Sequence, residues 1–264
     1  MGNLNILLVG PWVGEFGWEL FCWQGYIRKL SKNYNKTYII TRKGNEFLYE
    51  DFIDGYFNYD PIKNKILNAW NCDNIDDVQI NYIKKKIKYT TYIDGRDKNV
   101  IYNYLYEDKW INFKNQEFIK YKSDSLQIKT DILIHPRNKN LGAERNWDKK
   151  KWEMLINLLK NTYKIGIIGT YETYNLDYCD DYRNIPLKDT ISLMNNTRLV
   201  VGPSSGPIHL ASLCGTPHLL WNIKDNRKRY LKDWNPFNTK CYFYSDEGWN
   251  PKMENIYNII KKNI

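Results

Sequence analysis

The sequence predicts an α/β protein built from two Rossmann-like layers. Two observations carry this. Short apolar runs end at glycine, as in Asn5 to Gly10 and Leu199 to Gly202. Such runs suit strands covered on both faces of a parallel sheet. Between the runs lie segments with apolar residues at helical spacing, so strand and helix alternate in two separate blocks.

The elements follow in order. Asn5 to Gly10 is the first strand. A glycine-rich turn leads into a helix from about Glu19 to Lys32, with Leu20, Trp23, Ile27 and Leu30 on one face. Thr37 to Thr41 is the second strand. Asn45 to Asp54 reads as a helix, and Ile75, Val78, Tyr82 and Ile83 mark another, ending at Lys84-Lys85-Lys86. Gly95 to Lys122 shows no firm period. Ser123 to Thr130 is polar and aperiodic and reads as the linker, which sets domains at 1–125 and 126–264. The second block opens with a strand from Ile132 to His135. Asp148 can cap a helix reaching Leu159, with Trp152, Leu155, Ile156 and Leu159 on one face. A strand from Lys164 to Ile168 ends in Gly169, and a helix spans Leu187 to Asn195. Leu199 to Val201 is a strand, Ile208 to Leu213 a helix, and Pro217 to Trp221 a strand. Asn250-Pro251 starts a last helix, with proline suited to the first helical position.

Composition bounds the function. The chain has 264 residues, 42% hydrophobic and 26% charged, which excludes disorder, collagen and coiled coil. The net charge is +9. A positive field favours nucleic acid, an anionic membrane surface or a phosphorylated small molecule, and codon-driven enrichment in lysine explains it equally well. The five cysteines are scattered, without CxxC or zinc spacing, and read as reduced thiols. The N-terminus lacks a basic segment followed by a long apolar one, so no signal peptide is expected. No apolar run approaches the roughly 20 residues of a membrane span. The expectation is a soluble, cytoplasmic protein.

Three motifs could carry chemistry. In Val200 to Ser212 a buried strand ends, small residues turn, and a helix begins. The new helix presents free N–H groups and a positive dipole end. Gly202 and Gly206 allow close backbone approach, Ser204 and Ser205 add hydroxyls, and His209 lies one turn on. Together they form a phosphate or diphosphate cradle, set against the plain reading of a capped helix. His135 would orient a loop, and His218 would be structural. The second motif is His135-Pro136-Arg137 and, after a polar loop, Glu144-Arg145-Asn146-Trp147. It leaves the carboxyl end of a strand, where open α/β sheets bind ligands. Arg137 and Arg145 are candidate phosphate clamps. The third, Gly10 to Glu19, also joins strand to helix, but its glycines lack dinucleotide spacing. It offers two acids. Glu19 in a first helical turn has a structural explanation through the dipole. Glu15, between Gly14 and Phe16, has none and is the better candidate base.

These residues carry a resemblance. Ile134-His135-Pro136, Arg145-Asn146-Trp147, and Gly202 to Ala211 ending at Gly215-Thr216-Pro217 follow the C-terminal pattern of the family 9 glycosyltransferases. These are the ADP-heptose:lipopolysaccharide heptosyltransferases. Gly14-Glu15 stands where the family has Gly-Asp, whose Asp is the proposed base. Ser204 replaces an Asp, Arg145 a Lys, and Arg137 the glycine of His-Pro-Gly. The resemblance implies a GT-B fold, two Rossmann-like domains facing each other across a cleft. It implies inverting transfer of a sugar from a nucleotide-diphosphate sugar to an acceptor hydroxyl. The donor-binding set would be Arg137, Arg145, Gly169, Ser204, Ser205, Gly206 and His209. Glu15 would be the catalytic base with Glu19 as fallback, and Trp12, Trp18 and Arg227 would face the acceptor. The last helix could return to the N-terminal domain. No Asp-x-Asp motif is present, so no metal cofactor is expected. The acceptor would be a surface glycan or a modified base in DNA. A sugar-nucleotide epimerase of the same fold is one alternative. A non-catalytic module binding nucleotide sugars or nucleic acid is another, suggested by basic and aromatic residues interleaved in Lys84 to Tyr92 and Arg227 to Trp234.

Overall fold

The computed structural model describes residues 4–59, 61, 75–97, 106–107, 110–111 and 115–264. Cys72 and the first three residues lie outside them. The chain divides into two compact units, Met1–Phe118 and Ile119–Ile264.

In the first unit, β1 (Ile6–Val9), β2 (Lys36–Arg42), β3 (Gly55–Tyr59) and β4 (Thr91–Ile93) form a parallel sheet in the order β3-β2-β1-β4. Leu7, Leu8 and Val9 are wholly buried, which is why an all-apolar run sits inside the sheet. Residues 16–31 form one continuous helical rod. It comprises α1 (Phe16–Trp18), a fully buried π turn (Glu19–Trp23) and α2 (Gln24–Ser31). α3 (Asp77–Lys86) is capped by Asp76, whose carboxylate accepts the Val78 N–H at 2.8 Å. Leu8, Val13, Ile40, Tyr59, Ile75, Ile80 and Ile83 make the core between helix and sheet. The helix expected over Asn45 to Asp54 is only a 3₁₀ turn, Glu46–Leu48. Glu46 bends back to accept the Gly44 N–H at 2.6 Å, and the chain then enters β3. A short antiparallel pair follows, β5 (Tyr106–Glu107) and β6 (Trp110–Ile111).

The second unit is a six-stranded parallel sheet of β7 (Thr130–Ile134), β8 (Ile165–Gly169), β9 (Asp180–Arg183), β10 (Thr197–Pro203), β11 (His218–Trp221) and β12 (Cys241–Tyr244). Its order is β12-β11-β10-β7-β8-β9. The helices are α4 (Lys149–Leu159), α5 (Leu187–Asn195), α6 (Gly206–Cys214) and α7 (Met253–Asn263). Asp148 caps α4, accepting the Lys150 N–H at 2.7 Å. Trp147, Trp152 and Trp221 pack together with ring centroids 4.9–5.7 Å apart. Met253, Ile256 and Ile260 of α7 complete this same core. The last helix therefore packs on the core of its own unit. α7 also starts at Met253, so Pro251 precedes the helix and its carbonyl accepts the Trp147 indole N–H at 2.9 Å. Residues 119–129 bind the second unit. Tyr121 N–H donates to Leu213 and Leu126 N–H to Ser192 Oγ. Among the described residues no helix is long and apolar enough to cross a membrane.

Both sheets reverse strand order once. In the first, the chain leaves β1 toward β2 and later returns to β4 on the other side. In the second, it runs β7-β8-β9 one way and β10-β11-β12 the other. Loops at the carboxyl ends on either side of such a reversal splay apart and leave room for a ligand.

Candidate functional site

The switch point of the second sheet lies between β7 and β10. His135 follows β7, and Ser204-Ser205 end β10 and open α6. The two sides are tied directly, with Ser205 Oγ 2.8 Å from His135 Nδ1. Ser205 is the residue before α6 in extended backbone, yet its hydroxyl makes no cap bond. It is turned to His135 instead and leaves the helix start without its own side-chain cap. Proline at 207 has no N–H to satisfy. The Gly206 and Ile208 amides remain at the positive end of the helix dipole.

His209 sits one turn into α6 and is 6% exposed. Its Nε2 lies 3.3 Å from Ser204 Oγ. Burial holds His209 well below the usual histidine range, and the positive charges of Arg229 and Arg145 push the same way. Both arginines therefore bear on the start of α6. Burial likewise lowers His135 to about 3. The imidazoles are thus neutral near pH 7, and the arginines supply the positive charge. Among the described residues no three His, Cys, Asp or Glu side chains gather as a metal site.

The switch point of the first sheet lies between β1 and β4. The loop leaving β1 is pinned from several sides. Gly10 N–H donates to Ile93, Tyr92 OH to the Gly10 carbonyl at 2.9 Å, and Tyr59 OH to the Trp12 carbonyl at 2.7 Å. Arg42 donates to the Gly14 carbonyl at 2.5 Å. The Glu15 carbonyl accepts the N–H groups of Trp18 and Glu19 as the rod starts, and the Glu15 side chain is half-exposed. Glu19 is buried at 1% exposure. Its carboxylate accepts Tyr49 OH at 2.6 Å and Asn45 Nδ2 at 2.7 Å, and pairs with Arg42 at 3.4 Å. Glu19 thus fixes Arg42, and Arg42 fixes the turn that displays Glu15.

No protein-family model matches the chain, and no curated sequence does. Solved structures match over nearly its whole length. An E. coli ADP-heptose lipopolysaccharide heptosyltransferase II aligns over 98% of both chains, with a TM-score of 0.63 and 11% identity. E. coli heptosyltransferase WaaC with ADP covers 99% of this chain and 100% of its own, at TM-score 0.58 and 11% identity. A family 9 glycosyl transferase from Veillonella parvula covers 99% and 90%, at TM-score 0.56 and 14% identity. The chain has the GT-B fold.

Within this GT-B chain the residues singled out from sequence part company. Ser204, Ser205, Gly206 and His209 share one helix start, and Arg145 bears on it. Arg137 does not present itself to a ligand. It is 3% exposed, and its guanidinium donates to the carbonyls of Gly142 and Leu141 and to Asn146 Oδ1, bracing the 138–146 loop. Gly169 acts indirectly. Its φ is +130°, and a Cβ there would meet Thr173 Oγ1 at 2.4 Å and the His135 ring at 2.8 Å. Trp12 is 2% exposed, packs on Trp23 at 5.5 Å and belongs to the core, not to an acceptor surface. Trp18 is half-buried in α1. Arg227 is exposed, stacked over Phe243 at 5.6 Å.

Tyr230 and Trp234 were read only as part of a basic aromatic stretch. Both are buried, and both pack on His209, Tyr230 stacked at 5.0 Å and Trp234 edge-on at 4.9 Å. Tyr230 lies in a π turn, Arg229–Asp233, that no sequence pattern announced, and Trp234 ends it.

Proposed function

We propose that the chain is an inverting glycosyltransferase that moves a sugar from a nucleotide-diphosphate sugar to an acceptor hydroxyl. The observation that carries this reading is the start of α6. There the amides of Gly206 and Ile208 open a helix end lined by Ser204 and Ser205, and the charges of Arg145 and Arg229 act on the His209 one turn in. This is the donor set a diphosphate requires, supplied by arginines and amides without a metal ion. The solved structure of WaaC carries ADP, which fits the same reading.

In the proposed reaction Glu15 takes the acceptor hydroxyl proton. The oxygen attacks the anomeric carbon from the face opposite the diphosphate. The bond from that carbon to the phosphate oxygen breaks, and the nucleoside diphosphate leaves with one more negative charge. Donors fixed in advance at the α6 start stabilise that developing charge. A glycan hydroxyl is the favoured acceptor, because Tyr230 and Trp234 are packed on His209 and form no exposed row for stacking bases. Cys179, Cys214 and Cys241 are free thiols, which suits a reducing, cytoplasmic setting.

The test has two arms. Nucleoside diphosphate should be released only with donor and acceptor together, since an epimerase would consume no acceptor. Glu15→Gln should bind donor as wild type does while kcat falls about 10²–10⁴-fold. Equal turnover by Glu15→Gln and wild type overturns the base assignment.

A further inference from the structure

We propose that Tyr230 is a positioning residue, one that fixes the tautomer of His209 through the Ser204 hydroxyl. The proposal deepens the donor-site reading above and rests on it for its purpose. Three buried groups stand in line. Tyr230 OH is 2.6 Å from Ser204 Oγ, and Ser204 Oγ is 3.3 Å from His209 Nε2. Ser204 is 2% exposed, Tyr230 5% and His209 6%, so the line is closed to bulk water.

The direction of the protons follows from the groups themselves. A phenol is a stronger acid than a serine hydroxyl, so Tyr230 donates and Ser204 accepts. Ser204 has one proton left, and the neighbour within reach is His209 Nε2. In this arrangement Nε2 accepts that proton, which leaves the ring proton on Nδ1. Burial already keeps the ring neutral, so the choice is between two tautomers and not between two charges. The aromatic packing removes the remaining freedom. Tyr230 lies on the imidazole with 6° between planes, and Trp234 meets both rings edge-on, at 4.9 and 5.8 Å. Phe243 backs Tyr230 from 6.0 Å.

The π turn makes this possible. It runs from Arg229 to Asp233 and puts Tyr230 and Trp234 on the same side, both against His209. Arg229, which bears electrostatically on His209, lies over Trp234 at 5.5 Å. One short turn therefore places a charge and a tautomer-setting hydroxyl on the same histidine. A diphosphate arriving at α6 would meet donors whose protons are already assigned, and need not reorder them.

The experiment uses Tyr230→Phe, which keeps the ring and its stacking and removes only the hydroxyl. With histidine labelled in its ring nitrogens, two-bond proton–nitrogen spectra separate the two neutral tautomers. His209→Asn identifies the signal. Wild type should show His209 as the Nδ1–H form alone, and Tyr230→Phe should shift both ring nitrogens toward averaged values. Ser204→Ala breaks the same line from the other side and should give the same averaging, should Tyr230→Phe fail to fold. A wild-type Nε2–H form, or an unchanged His209 signal in the variant, overturns the proposal. ADP, UDP and GDP titrated into both proteins report separately on the donor site. The best binder should lose about tenfold in affinity in Tyr230→Phe, the worth of one ordered hydrogen bond. If none of the three binds wild type, the donor reading falls while the spectra still decide the role of Tyr230.

Discussion

Acid should destabilise the second unit steeply, and its histidines set the size of the effect. His135 and His218 are both buried, and burial lowers them from 6.5 to about 3 and about 4. Their native forms resist protonation that the unfolded chain accepts freely. The stabilisation is therefore complete above pH 6.5 and is lost as pH falls below it. Between pH 7 and pH 5 each unfolded histidine takes up nearly a full proton, worth about 2 kcal/mol, so the pair costs about 4 kcal/mol. His209, also lowered, adds in the same direction. Against a typical domain stability of roughly 5–15 kcal/mol this is a large fraction. The assay is urea unfolding at a series of pH values, followed by fluorescence of the Trp147, Trp152 and Trp221 cluster. Near pH 5.5 the unfolding free energy should change by at least roughly 2.5 kcal/mol per pH unit. His218→Asn should lower that slope by about one proton even if it also lowers stability. A wild-type slope below about 1.4 kcal/mol per unit, the value for a single proton, would refute the reasoning.

Other outcomes follow from the same geometry. Glu19→Ala leaves Arg42 and the Tyr49 hydroxyl without their buried partner and should cost about 3 kcal/mol in chemical unfolding. A loss under 1 kcal/mol would show that the carboxylate matters little to the fold. Arg137→Ala should lower the melting temperature by several degrees and leave nucleotide affinity nearly intact. Arg145→Ala should do the reverse, weakening nucleoside diphosphates about tenfold or more while sparing the bare nucleoside. Identical profiles for the two would erase the distinction drawn between brace and clamp. Gly169→Ala forces a positive φ and a contact with Thr173 and His135, and should destabilise by about 2 kcal/mol, read as a shifted urea midpoint.

What could be read in the sequence follows burial. β1, β2, β7, β8, β10 and β11 were all legible, because strands covered on both faces must be apolar throughout. β3, β4, β9 and β12 were missed, and each lies at the edge of its sheet. Asp180-Asp181-Tyr182-Arg183 and Cys241-Tyr242-Phe243-Tyr244 carry no such run, since an edge strand meets solvent and needs none. The site divides in a similar way. Ser204, Ser205, Gly206 and His209 are neighbours in sequence and were seen together. Tyr230 reaches His209 from a different element, and the Ser205–His135 bond joins residues 70 apart. Arg137 reads as a clamp in the sequence because a guanidinium that clamps phosphate and one that braces its own loop have the same sequence signature. Only the loop carbonyls within its reach tell them apart.

The π turn at Glu19–Trp23 has a consequence for how the first unit tolerates change. At its first residue, Glu19 must face Arg42, Asn45 and Tyr49. Downstream, Arg28 must face Asp51 and the Leu48 and Glu117 carbonyls. A uniform α-helix fixes the angle between such positions at about 100° per residue. One surplus residue in the rod adjusts its phase, so two sets of partners at different azimuths are met by a single helix. Deleting any one residue of 19–23 would restore α-helical winding and rotate the Glu15 end by about 100° relative to Arg28. Glu15, Arg28 and their partners would all survive such a deletion and the displayed carboxylate would still point the wrong way. The segment is thus sensitive to its length as well as to its composition.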